Sequence, residues 1–145
     1  FLSTIASRAA AVEQDRIAEV LEQVGLLEHA GKLGGALSHG QQQWLEMAML
    51  LVQSPTLLLL DEPVAGMTKA EKEKTAALLE TIVQRSTSTI MLIEHDMEFV
   101  RQIARRGHRV SVLHEGTILS EGSIDQVQSD PRVIEAYLGR GAVRA

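Results

Sequence analysis

The sequence predicts an α/β fold built on a parallel sheet, with a helical region ahead of it. Residues 56–60 form a continuous apolar run between Pro55 and the acids Asp61 and Glu62, the pattern of a strand buried on both faces of a parallel sheet. Residues 88–94 are rich in β-branched side chains, and a helical pattern over 69–84 separates the two runs, so together they read as a β-α-β unit. Two further helical patterns, over 12–27 and 39–53, precede the first strand.

Taken in order, Val12, Ile17, Val20, Leu21, Val24 and Leu27 share one face of the first helix, with acids and Arg16 elsewhere. Glycines 25, 31, 34 and 35 then make a loop, and Ser54-Pro55 stops the second helix. In that helix Trp44, Met47, Ala48, Leu51 and Val52 are expected to pack rather than to bind. Asp96 caps a short helix with Met97, Val100, Ile103 and Ala104 inward, ending near Gly107. Residues 109–114 and 117–121, joined by Glu115-Gly116, form a hairpin, and 123–128 and 131–138 are short terminal helices. The basic turn 105–109 is read as a solvated helix end whose positive charge complements the helix dipole.

With 145 residues, 45% hydrophobic and 23% charged, the chain can bury a real core, and its composition argues against disorder. A net charge of -5 and few aromatics argue against a nucleic-acid partner. The lack of cysteine leaves no disulfide or thiolate metal site and fits a cytoplasmic setting. No apolar run reaches the roughly 20 residues of a membrane helix. The opening residues, which start at Phe1, do not read as a signal peptide.

The chemistry concentrates in two places. Asp61 and Glu62 end a strand where open parallel sheets collect ligands. Neighbouring strand residues point to opposite sides, so the two acids take different tasks: Asp61 suits hydrated magnesium, Glu62 suits orienting and deprotonating water. A solvated strand end would look the same in isolation. The second place is Ser38-His39-Gly40-Gln41 at a helix start, where free N–H groups and partial positive charge can receive a phosphate and Gly40 admits close approach. Ser38 and Gln41 also spell a capping box, which by itself accounts for the helix end.

In this order Leu37-Ser38-His39-Gly40-Gln41, the Leu57-Leu58-Leu59-Leu60-Asp61-Glu62-Pro63 strand and His95 after the next strand resemble three motifs of the ATP-binding-cassette (ABC) ATPases: the signature motif, the Walker B motif and the switch histidine. The likeness runs through nearly the whole chain. Trp44-Leu45-Glu46, Pro63-Val64-Ala65-Gly66-Met67, Glu94-His95-Asp96-Met97-Glu98-Phe99-Val100 and Val133-Ile134-Glu135-Ala136-Tyr137-Leu138-Gly139 resemble the urea and branched-chain amino-acid importer branch, with urea the first expectation for the cargo. The resemblance implies a partial P-loop NTPase (RecA-like) core over 56–145 and a helical signature subdomain over 1–55. It implies ATP and Mg2+ as cofactors in the full-length dimer. Asp61 would then serve magnesium, Glu62 would activate water and His95 would contact the γ-phosphate. Ser38, His39, Gly40 and Gln41 would meet the nucleotide of a second ATPase subunit. Implied partners are that subunit and membrane-spanning permease subunits, which would hold the protein at the inner face of the cell membrane. Residues 64–68 occupy the family's D-loop, with Thr68 where many members have aspartate and able to form a capping box with Glu71. His39 replaces the first glycine of the commoner LSGGQ form.

A phosphate loop, G-x-x-x-x-G-K-[ST], is not found in these 145 residues. The sole Gly-Lys pair, Gly31-Lys32, is followed by Leu33, and Leu26 stands where glycine is needed. The chain therefore reads as the C-terminal portion of a cassette ATPase, inactive by itself and prone to self-association through an exposed apolar edge and face. Two other readings are a soluble non-transport cassette ATPase and a non-catalytic interaction module derived from one.

Overall fold

A computed structural model describes residues 2–85 and 87–137, with backbone alone over 2–11. The chain forms two compact units, Phe1–Glu94 and His95–Ala145. The division by contact falls at 94/95.

In the first unit α1 (Leu2–Gln23) starts well before the expected residue 12. Val20, Val24 and Leu26 are buried, whereas Val12 and Ile17 are exposed, so the apolar face works only in its last turns. Leu27 is exposed as well: Gly25, at φ +71°, turns the chain in a left-handed step that delivers Leu26 to the core in its place. Two 3-10 turns, Leu27–His29 and Gly34–Ala36, lie within the glycine loop. Helix α2 (His39–Leu51) stops ahead of Ser54, at φ +50°, and Pro55. Arg16 of α1 ties off that end by donating to Leu51 O and Ser54 Oγ, each at 3.3 Å. Met47, Ala48 and Leu51 are buried as expected, and Val52 is half-buried.

Strands β1 (Leu57–Asp61) and β2 (Thr89–Ile93) pair in parallel, Leu57 opposite Thr89 through Asp61 opposite Ile93, with α3 (Lys69–Arg85) as the crossover. The β-α-β unit is therefore formed. Burial on both faces of β1 is not: Leu58 and Leu60 are buried, but Leu57 and Leu59 are 51% and 63% exposed. Met91 and Ile93 of β2 stand exposed on the same pair of strands, which leaves an apolar surface uncovered on one side.

The second unit opens with α4 (Met97–Ala104), whose N-terminal N–H groups on Glu98 and Phe99 donate to the Asp96 carboxylate. Phe99 and Ala104 are buried, with Val100 and Ile103 half-buried beside them. Met97, expected inward, is exposed because it falls at the margin of that stripe. Strands β3 (Val110–His114) and β4 (Thr117–Gly122) pair antiparallel, with one register shift between Val112 and Leu113. Their two-residue turn has both Glu115 (φ 50°) and Gly116 (φ 78°) in the left-handed region, the twist a tight hairpin needs. The basic turn 105–109 is solvated, and Arg109 meets Glu121 across the strands at 2.6 Å. Helix α5 (Ile124–Ser129) carries a Ser123/Gln126 capping box, and α6 (Pro131–Tyr137) follows. Tyr137 donates to Leu113 O at 2.8 Å, while Leu138 lies outside the described residues.

Candidate functional site

Asp61 is the last residue of β1, and both it and Glu62 are exposed. Alternation places Asp61 on the side of Leu57 and Leu59. Glu62 adopts φ +48°, a conformation that costs an ordinary residue roughly 1–2 kcal/mol. Its N–H donates to Ile93 O at 2.9 Å, one rung beyond the strand, and its carbonyl accepts from Ala65 N at 3.0 Å. The ladder and the turn together hold the strained residue. Pro63 and Val64 bury themselves directly after it, and the Glu94 carboxylate accepts from Val64 N at 3.2 Å.

Hard oxygen donors at a strand tip suit magnesium, which takes one or two carboxylates and completes its shell with phosphates and water. Among the described residues no group of three or more His, Cys, Asp or Glu could hold a metal ion unaided. The exposed carboxylates of Asp61 and Glu62 are oxygen donors of the kind such an ion takes.

At the start of α2 the capping box is complete: Ser38 Oγ accepts from Gln41 N at 3.3 Å, and Gln41 Oε1 accepts from Ser38 N at 3.0 Å. The Gln41 amide nitrogen also meets His29 Nε2 at 2.8 Å. His39 turns to its own chain, with Nε2 at 3.1 Å from Ala65 O. Gly40 is buried, and what lies against it is Glu71: a Cβ there would sit 2.6 Å from Glu71 Oε1. The other Glu71 oxygen accepts from Thr68 N at 2.9 Å and from Thr68 Oγ1 at 2.8 Å, while Glu71 N donates to Thr68 Oγ1. These bonds from the Thr68 backbone and side chain hold the Glu71 carboxyl below its ordinary range, helped by the charges of His39 and Lys74. Trp44 donates to Thr75 Oγ1 at 2.9 Å and so anchors α2 on α3.

The first unit thus gathers Ser38, His39, Gly40 and Gln41 at one helix tip and Asp61 with Glu62 at one strand tip, and the His39–Ala65 bond links the two. His95 opens the second unit, exposed, immediately ahead of the Asp96 cap. The strand before it alternates exposed and half-buried residues. The role of Glu94 had no signature in the sequence, because its partner Val64 is thirty residues away.

Residues 2–65 match the family described as "ABC transporter", and residues 117–143 match "Branched-chain amino acid ATP-binding cassette transporter". The high-affinity branched-chain amino acid transport ATP-binding protein LivG of Escherichia coli (strain K12) is 41% identical over 132 residues, 91% of this chain and 51% of LivG. BraF of Pseudomonas aeruginosa, with the same description, is 39% identical over 82% of this chain and 46% of its own length. The chain spans about half the length of these curated relatives. Among solved structures, the ADP conformation of MJ1267, an ATP-binding cassette of an ABC transporter, superposes with a TM-score of 0.74 at 28% identity, covering 88% of this chain and 50% of that one.

Proposed function

We propose that this chain, a member of the ABC transporter family, forms the C-terminal part of the ATP-hydrolysing subunit of an importer for branched-chain amino acids. Its relatives LivG and BraF are named for that cargo, which therefore stands ahead of urea. The observation that carries the reading is the pair Asp61-Glu62, exposed at the carboxyl end of a parallel strand, with Glu62 held in a left-handed turn. Asp61 holds Mg2+ with the nucleotide phosphates, and Glu62 orients the attacking water and takes its proton. Bound magnesium supplies charge neutralisation on the phosphates. His95 contacts the γ-phosphate. Ser38, Gly40 and Gln41 approach the nucleotide of a second ATPase subunit, and segment 1–55 serves as the signature subdomain. Permease subunits hold the assembly at the inner membrane face; among the described residues no helix is long and apolar enough to cross a membrane.

The test is Glu62→Gln in the cassette that carries this chain. Expected is loss of ATP turnover by two or more orders of magnitude with Mg-ATP binding retained, since the amide still fits the turn but cannot take a proton. Turnover unchanged by the substitution would remove Glu62 as the base. The 145 residues alone, without a phosphate loop, neither bind ATP tightly nor turn it over; micromolar affinity in a Mg-ATP titration would contradict this.

A further inference from the structure

We propose that His39 is a positioning residue, which braces the tip of α2 to the turn that carries Glu62. The bond runs from the His39 ring to Ala65 O at 3.1 Å. A carbonyl can only accept, so the proton sits on Nε2. Gly66 lies under the same ring: a Cβ there would be 3.2 Å from His39 Nε2, and its φ of +71° is one that only glycine takes freely. A second contact lies alongside. One oxygen of Glu71 packs on Gly40, the residue after His39, while the other holds Thr68 at the far end of the same turn. The turn is therefore held to the α2 tip at two points, at Ala65 by the His39 ring and at Thr68 by the Glu71 carboxylate that packs on Gly40.

A ring bound to the chain's own backbone is not free to reach a nucleotide in this conformation. Its consequence is mechanical: a displacement of Ser38 or Gly40 is passed through His39 to Ala65, whose N–H bonds back to Glu62 O at 3.0 Å. The replacement of a glycine by histidine at this position thereby acquires a purpose. The functional meaning of the brace rests on the ATPase reading above, but its existence does not.

The test compares His39→Ala, His39→Asn and His39→Gln in the cassette that carries this chain, by amide hydrogen exchange. The amides of Ala65, Met67 and Thr68 each donate within the turn or to Glu71, so they report its opening. Expected is faster exchange of these amides, by about threefold to tenfold, in the alanine and asparagine variants. Glutamine, whose amide nitrogen reaches about as far as Nε2, restores slow exchange. Nitrogen-15 spectra of the wild-type ring should show a protonated Nε2. Unchanged exchange in His39→Ala, rescue by asparagine but not glutamine, or a uniform rise over α2 and α3 in all three variants would each overturn the brace. Faster exchange in the His39→Ala and His39→Asn variants of a cassette whose wild type hydrolyses no ATP keeps the brace and removes the ATPase reading; hydrolysis by the wild type with exchange unchanged in the variants does the reverse.

Discussion

Gly40 and Glu71 show at the residue scale how a motif position can serve two demands. Glycine at 40 suits the approach of a phosphate, yet the close neighbour in this structure is Glu71 Oε1 of the same chain. We predict that Gly40→Ala destabilises when Glu71 is present, because the new methyl must push the carboxylate off Thr68. In a Glu71→Ala background the same change should stabilise by about 0.5–1 kcal/mol, the ordinary helix advantage of alanine over glycine. Denaturant unfolding of the double-mutant cycle measures this, and strict additivity would contradict it. Glu71 also carries a pH signature. Its folded pKa lies below the ordinary 4.5, so its contribution is present above that value and is lost as pH falls through the depressed folded value. A Glu71→Gln variant should show a flatter dependence of unfolding midpoint on pH below about 4.5 than the wild type.

At the scale of elements, local chemistry and packing part company. The starts of α2 and α4 were legible because each cap needs only a residue and its neighbours two or three places on. The hairpin was legible for the same reason, through Glu115-Gly116. Facial assignments fared less well: Val12, Ile17 and Met97 fit a helical period and yet are exposed. Periodicity shows that a face exists and is silent on where a neighbour stops. The joint between α2 and α3 depends on one such neighbour. Thr75, fully buried, accepts from Trp44 and donates to Glu71 O at 2.9 Å, one turn back in its own helix. Thr75→Val keeps the volume and leaves the indole N–H without its acceptor, so a loss of about 1–3 kcal/mol is expected by thermal or denaturant unfolding. A loss below about 0.5 kcal/mol would mean that the indole finds another acceptor.

For the whole molecule, the bare apolar surface of the β1–β2 pair has the largest consequence. Leu57, Leu59, Met91 and Ile93 each expose more than half of their surface, and Leu59 lies directly opposite Met91. Isolated exposed leucines are ordinary, but a contiguous patch on a sheet invites association. The 145-residue chain is expected to self-associate at high concentration in light scattering. Leu59→Glu with Met91→Lys, an opposed pair on neighbouring strands, should shift it to monomer without loss of helical circular dichroism. A wild-type chain that stays monomeric would count against this face as the contact.

The amino-acid sequence by itself determined the order of elements, the caps and tight turn, and the residue types with chemistry to offer. These depend on contacts a few residues apart, which propensity and spacing encode directly. Only the tertiary structure decided that β1 buries one face rather than two, that His39 binds Ala65 O, and that Glu71 faces Gly40 as well as Thr68. Those facts join side chains separated by tens of residues, whose meeting depends on how helix and sheet pack and leaves no local periodic trace.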